Sequence, residues 1–428
     1  MKILIKHGTV IDPYNKINGQ YDILIDEGKI VKVAKDIKEK ASKTIEANGK
    51  IVCPGFIDLH VHLREPGRED KETIKTGTKA AIKGGFTAVA CMPNTTPSCD
   101  SESVVNFIKE KAKKSGYAKV FPIGTLTKNR EGKELSEMAE LKRSGCVAVS
   151  EDGDSVEDNF IMRQACDYAK TFELTVFVHC EDKKLSENGV MNEGFMSTKL
   201  GLKGIPNKSE SIVIQRDIEI AELTDVKMHI CHLSTREGVE LIKNAKKRGL
   251  QISAEVTPHH LSLTDEACAQ YDTNTKMNPP LRTKEDIKAL KKALKEGIID
   301  IIATDHAPHL ESEKDVEFDN APFGIIGLET AFCVCKKELV DTEDITMQEL
   351  IEKLTVNPAA IIGIDPPALT EGSSADITII DPEKTWVYEK KDIVSKSKNS
   401  PFIGEKFKGK VETVLVNGKI IMEEGLFI

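Results

Sequence analysis

The chain has 428 residues, 39% of them hydrophobic and 30% charged, a balance that fits a folded globular protein and argues against extensive disorder. Its 60 basic and 69 acidic residues leave a net charge of −9, which excludes a globally basic nucleic-acid binder but leaves local anion sites open. No run of about 18 apolar residues occurs, so no helical membrane span is expected. The opening MKILIKHGTVIDPYN is broken by Lys6, His7 and Asp12 before a secretory core can form, and no signal peptide is expected there. Ten scattered cysteines without a CxxC pair read as reduced thiols of a cytoplasmic protein.

The first 50 residues alternate apolar and polar positions with glycine at the bends, as in KILIKHGTVID and YDILIDEGKIVKVAK, the pattern of short strands and turns. A similar texture returns near the end in ADITIIDPEKTWVYEK and KVETVLVNGKIIMEEG. Either hairpins simply look alike, or both termini build one β-sandwich, residues 1–52 with 366–428, beside a central unit. From 53 to 365 the rhythm changes. Short β-branched runs alternate with amphipathic helical segments, the signature of βα units and a parallel sheet. Candidate strands lie at 55–62, 87–92, 119–125, 146–150, 174–179, 226–233, 251–257 and 298–305. Helical segments such as ETIKTGTKAAIKGG, ESVVNFIKEKAKKSG and REGVELIKNAKKRG end in glycine, as helix C-termini often do. Eight strands predict a closed (β/α)8 TIM-type barrel, with an open doubly wound sheet as the competing topology.

Residues able to bind metal gather at the C-terminal ends of these strands. His60 and His62 close the first, Asp152 follows the fourth, His179 ends the fifth, His232 the sixth and Asp305 the eighth. In a parallel barrel these ends open on one face, where active sites of the fold are built. A single histidine there would be an ordinary hydrogen-bonded residue; four histidines and two aspartates form a joint pattern. In an extended strand residues i and i+2 share a face, about 6.6 Å apart. By that parity Phe56, Asp58, His60 and His62 go together, as do Thr175, Phe177 and His179, and Met228, Ile230 and His232. Cys180 and Cys231 take the opposite parity and should point away. Imidazole and carboxylate donors suit zinc, with manganese or cobalt as alternatives. Six donors exceed the needs of one ion, so two are expected, with Asp152 reaching both. Such pairs activate water for attack on the C–N bond of an amide or cyclic imide.

The segments PGFIDLHVHLREPG (54–67), CMPNTTP (91–97), SEDG (150–153), VHCED (178–182), HICHLST (229–235), AEVTPHHL (254–261), KMNPPLR (276–282) and IATDHAPH (302–309) resemble, in order, the motif series of bacterial class I dihydroorotase in the amidohydrolase superfamily. The resemblance runs over nearly the whole chain, split β-sandwich included. It implies reversible interconversion of (S)-dihydroorotate and N-carbamoyl-L-aspartate in de novo pyrimidine biosynthesis. It also implies two zinc ions per subunit, one on His60, His62 and Asp305 and the other on His179 and His232, bridged by Asp152 and hydroxide, with Asp305 as proton shuttle. Arg64, Asn94, Asn278, His309 and the Phe323-Gly324 backbone, with His62, would meet the substrate. A salt bridge to Glu65 or Asp70 is the ordinary alternative for Arg64, and turn formation beside proline for Asn94 and Asn278.

Two departures bear on this. No lysine lies between Cys146 and Asp154, so a carbamylated lysine cannot bridge the metals, which disfavours hydantoinase, dihydropyrimidinase and allantoinase. Glu151 stands where relatives often have aspartate; it and Asp154 read as a solvated acidic turn, and His259 and His260 receive no role. A catalytically dead scaffold for aspartate transcarbamoylase is the rival from another class, opposed by the complete donor set. A homodimer, or an active enzyme associated with aspartate transcarbamoylase, fits the resemblance. A small-molecule substrate is expected, with neither nucleic acid nor membrane as partner.

Overall fold

The structure, a computed structural model, describes residues 1–428. Eight parallel strands occupy the middle of the chain: Phe56–Val61, Phe86–Cys91, Lys119–Thr125, Ala148–Ser150, Thr175–Val178, Met228–Ile230, Ile252–Val256 and Ile301–Ile302. They pair in sequence order. Between the last and the first the ring closes through a Val61–His306 bridge and a His62 N–H donated to the His306 carbonyl at 2.9 Å. The Thr304 N–H also donates to both Asp58 carboxylate oxygens at 3.2 Å. An open sheet would leave two edges with unpaired backbone; here those edges meet, so the closed barrel is the architecture.

Apolar strands bury both faces, as parallel sheets must. Ile57, Leu59, Ala88, Ala90, Ile123, Ala148, Phe177, Cys231, Ile301 and Ala303 form one cluster drawn from six strands and two strand tips, which is the barrel interior, and Ala359 and Ile362 close its floor. The alternate side chains (Phe56, Val89, Val176, Met228, Ile230, Ile252) belong to the larger cluster under the helices. Those helices form where the 3.6-residue period predicts, at Ile74–Gly84, Glu102–Ser115 and Arg236–Lys247. The first is stopped by Gly85, whose left-handed φ of 91° lets its N–H reach Ala81 and Ile82 carbonyls, a conformation that suits glycine.

Several strands are shorter than their apolar runs. The run 298–305 yields only Ile301–Ile302, and 226–233 only Met228–Ile230. The backbone turns away at the tips: His232 has φ 32° and Asp305 φ 48°, which no strand residue adopts. Between the fifth and sixth strands the chain also inserts a two-stranded ladder, Met191–Asn192 with Gly204–Ile205, too short for periodicity to reveal.

Both termini build one nine-stranded sheet. Ile377–Val387 pairs antiparallel with Ile51–Pro54, joining the C-terminal strands to those between Ile3 and Ala34. Fourteen buried residues from both ends, Ile5, Ile25 and Ile377 among them, form its own apolar cluster. The similarity of the two ends therefore has a structural counterpart beyond hairpin texture.

The loop that carries His232 is anchored by a buried carboxylate. Glu210, on helix Asn207–Thr224, accepts from the Ser234 N–H and hydroxyl at 2.9 and 2.7 Å, the Thr235 N–H at 3.0 Å, and the Thr235 hydroxyl. Arg282, fully buried, donates to the Ser234 hydroxyl at 3.1 Å and to Asn192 and the Ile205 carbonyl at 3.0 and 2.9 Å. Removing one member of such a network strands buried polar partners. Glu210→Ala should therefore lower unfolding free energy by about 3–5 kcal/mol, measured by urea denaturation; a loss under about 1 kcal/mol, the scale of one ordinary hydrogen bond, would contradict this account.

Candidate metal centre and substrate pocket

Six donor side chains converge at the C-terminal mouth of the barrel. His60 Nε2 lies 3.2 Å from Asp152 Oδ1 and 3.4 Å from Asp305 Oδ1. His62 Nε2 lies 3.0 Å from Asp305 Oδ1 and 3.6 Å from Asp152 Oδ2. His179 Nδ1 faces His232 Nε2 at 2.9 Å. Three overlapping triads result, His60–His62–Asp152, His60–His232–Asp305 and Asp152–His179–His232, each with its donor atoms within 4.8 Å of one another. All six residues are buried.

The route by which they meet differs from simple strand parity. The first strand shifts register against its neighbour between Asp58 and Val61, so Phe56 packs outward on Phe86 and Phe332 while Ile57 and Leu59 fill the interior. That irregularity, a bulge in effect, turns His60 and His62 to the mouth. Met228 and Ile230 likewise face the helices, and His232 escapes their side because the strand has ended. The expected parity sets for His60 and His232 are thus wrong, although Phe177 does share the interior with the site below His179. Cys231 is corrected as well: it belongs to the interior cluster, with its sulfur within 4.8 Å of a His60 nitrogen and a Glu255 oxygen. Cys180 does point away, toward Asp217 at 3.6 Å.

Hydrogen bonds behind the donors fix which imidazole nitrogen looks inward. Glu255 Oε1 accepts from His60 Nδ1 at 2.6 Å and from the His232 N–H at 3.1 Å, and its Oε2 from His229 Nε2 at 3.0 Å. Asn94 Oδ1 accepts from His62 Nδ1 at 2.9 Å while Asn94 Nδ2 donates to Asp152 Oδ2 at 3.0 Å. Glu181 Oε2 accepts from His179 Nε2 at 3.0 Å and from Asn278 Nδ2 at 2.9 Å. With their protons committed outward, the lone pairs of His60, His62 and His179 point into a cavity that already holds two carboxylates. His60 Nε2 has no hydrogen-bond partner. Inward lone pairs beside buried carboxylate oxygens fit a cation.

The local field agrees. Burial opposes charge on His60, yet Glu255, Asp152 and Asp305 raise its pKa well above the ordinary value. Burial likewise works against ionised Asp152 and Asp305, but His60 and His62 hold both carboxyls below the usual range. His232, by contrast, is pushed down to about 3 by burial and by the charge of His179 and His60. The centre favours positive charge concentrated between the carboxylates, with one imidazole kept neutral.

Beside the donors lies a cationic pocket. Arg64, held at φ 58°, donates its Nε–H to the Pro308 carbonyl at 3.2 Å and sets Nη2 3.4 Å from His309 Nε2. It pairs with neither Glu65 nor Asp70; Asp70 is bound by Arg68 and Glu65 by Lys111. His309 donates from Nε2 to the Phe323 carbonyl at 2.8 Å and accepts at Nδ1 from Lys71 at 3.2 Å. Burial, then Arg64 and Lys71, keep this imidazole neutral. Gly324, at φ 119°, donates to the Lys276 carbonyl at 2.9 Å, and a Cβ there would meet Ala307 Cβ at 2.6 Å.

Other candidates separate cleanly. Asp154 pairs with Arg130 and Lys183 at the edge, while Glu151 is buried against the Thr127 hydroxyl, its carboxyl pushed by burial up to about 7. The expected acidic turn is solvated only at Asp154. His260 is satisfied by Thr257 and the Pro279 carbonyl, whereas buried His259 Nε2 lacks a partner. Sequence reasoning assigned no role to Glu255, Glu181 or Lys71. A glutamate inside the apolar strand Ile252–Val256, and one two residues after His179, were the available signals, because a buried charge needs a partner.

The barrel and its buried donors define a cyclic amidohydrolase with a site suited to metal. An L-hydantoinase from Arthrobacter aurescens shares the fold over 100% of this chain and 97% of that chain, at TM-score 0.89 and 23% identity. A family profile described as Dihydro-orotase-like matches residues 49–238. A dihydroorotase of Elusimicrobium minutum is 52% identical over 99% of this chain and 98% of its own, and one of Acetivibrio thermocellus 49% identical over 100% of both. The chain belongs to the dihydroorotase family.

Because Glu255 holds His60 by its ring and His232 by its backbone, Glu255→Gln should weaken metal retention about 10–100-fold, read by chelator competition with elemental analysis. Retention equal to that of the unmodified protein would remove Glu255 from this role.

Proposed function

We propose that the chain interconverts (S)-dihydroorotate and N-carbamoyl-L-aspartate in pyrimidine biosynthesis, using two zinc ions held by His60, His62, Asp152, His179, His232 and Asp305. The observation that carries this reading is a guanidinium without a protein carboxylate, Arg64, set beside the donor cluster. A half-buried cation of that kind calls for an anionic ligand, and dihydroorotate carries a carboxylate that hydantoins and dihydrouracil lack.

Paired zinc, when bound, would lower the pKa of a water and polarise the carbonyl to be attacked. The remaining work falls to the chain. Arg64 binds the substrate carboxylate, and His309, kept neutral between Lys71 and the Phe323 carbonyl, lines the pocket without adding a charge. Asp305, 8% exposed against 0% for His60, is the more open of these ring-closing donors. It takes a proton from the attacking water and delivers it to the departing ring nitrogen, so that C–N cleavage yields the ureido and carboxylate groups of the product. Asn94 holds His62 and Asp152 in place, and Asn278 with the Phe323-Gly324 backbone meets the ring amides.

We further assign residues 53–365 as the catalytic barrel unit and 1–52 with 366–428 as a composite sandwich. Ten buried, unpaired cysteines support a reducing compartment, the cytoplasm.

Purified protein supplied with zinc should turn over dihydroorotate, followed by its ultraviolet absorbance; turnover of hydantoin or dihydrouracil with none of dihydroorotate would move the function to that branch. Arg64→Ala should raise KM about 10–100-fold, corresponding to about 1.5–3 kcal/mol for a charge-assisted bond, and an unchanged KM would displace the carboxylate pocket. In His179→Ala, elemental analysis should find bound zinc reduced, and full occupancy would count against a second ion.

A further inference from the structure

The segment between the strands Ile377–Val387 and Lys406–Val416 leaves the terminal sheet and lies against the substrate side of the barrel mouth. Two buried carboxylates receive it. Glu329 accepts from the Val394 and Ser395 N–H groups at 2.8 and 2.9 Å. Glu72 accepts from the Ser395 hydroxyl and from the Lys396 N–H at 3.1 Å. The Ser397 hydroxyl then donates to the carbonyl of Lys71 at 2.7 Å.

Beyond these anchors stands Asn399, buried, with its side-chain amide bonded through both oxygen and nitrogen. Its Oδ1 accepts from the His309 N–H at 3.1 Å. Its Nδ2 donates to the Ala307 carbonyl at 3.0 Å and to the Gly324 carbonyl at 3.1 Å. Its own carbonyl accepts from the Ile326 N–H at 3.0 Å. One side chain thus ties the loop 307–309 to the loop 323–326. The first loop carries His309 and the Pro308 carbonyl that holds Arg64; the second carries the Phe323 carbonyl that orients His309. The metal-facing imidazoles rest on other supports, Glu255, Asn94 and Glu181.

We propose that Asn399 is a positioning residue for substrate specificity: from the terminal sheet's excursion it fixes the distance between the carboxylate-binding loop and the ring-binding loop of the barrel. The inference rests on the dihydroorotase reading for the identity of the ligand, and on hydrogen bonding alone for the clamp. An amide is suited to the post because it offers two donors and an acceptor at once. Neither alanine nor aspartate can replace both donated bonds, and the loops would then be joined chiefly by the Ala307 N–H to the Ile325 carbonyl and by His309 to the Phe323 carbonyl, a looser tie.

The test uses the full-length, zinc-loaded protein as unmodified chain, Asn399→Ala and the isosteric Asn399→Asp. Steady-state kinetics should give a KM for dihydroorotate raised about tenfold or more with kcat changed less than about threefold, since loss of binding shared by ground and transition state raises KM alone. Zinc content should stay at the unmodified level. Hydrogen exchange read by mass spectrometry should show lost protection in peptides covering 306–310 and 323–327, with the barrel strands unchanged. A KM within about twofold of the unmodified protein in either folded variant overturns the proposal, as does a fall in kcat that tracks lost zinc or lowered Tm at constant KM. Should the unmodified protein fail to process dihydroorotate, the functional reading fails separately, and retained exchange protection in Asn399→Asp would still refute the clamp.

Discussion

One buried carboxylate organises the centre of this protein. Glu255 sits with no exposed surface inside the barrel, and it survives there because each oxygen is hydrogen-bonded: His60 and the His232 backbone on one side, His229 on the other. His229 in turn meets Ser253 at 2.8 Å. An unpaired charge in such a place would cost several kcal/mol, so the polar column must be complete or absent. Because it is complete, it determines the direction of the His60 lone pair and ties the first, sixth and seventh strands together at the height of the donors. The donors and three of the barrel's strands are therefore held by the same hydrogen bonds.

The second constraint is that straight strands cannot bring six donors to a point. The chain solves this with a register shift in the first strand and with left-handed backbone at Arg64, His232 and Asp305. Non-glycine residues in that region cost of order 1–3 kcal/mol each. The surrounding bonds offset that cost: Glu255 and Glu210 hold the loop of His232, and the first strand's Asp58 holds the Thr304 N–H just before Asp305. Strain at these tips and the carboxylates buried beside them form one arrangement.

This explains what was legible in the amino-acid sequence. The eight strands were, because a parallel sheet buried on both faces leaves continuous apolar runs, and the donors were, because each interrupts or ends such a run. The faces on which they lie were not. Parity holds only while a strand stays extended, and it failed at Phe56 and His232 where the backbone bulged or turned. The supports were hidden for a different reason. Glu255 acts on His60 from 195 residues away, and Asn399 on His309 from 90. A lone glutamate or asparagine carries no periodic signature, so its partner becomes visible only when the fold juxtaposes them.

The pocket also shows why global charge is a poor guide to a site. The chain as a whole is acidic, yet Arg64 and Lys71 face one side of the mouth while Asp152 and Asp305 face the other. His309 lies against Arg64 and Lys71, and burial with these two cations disfavours its protonation. A neutral imidazole in that position lines the pocket without adding a charge that would have to be desolvated when the site fills. The mouth is thus dipolar, with cations on the Arg64 side and carboxylates on the side of Asp152 and Asp305.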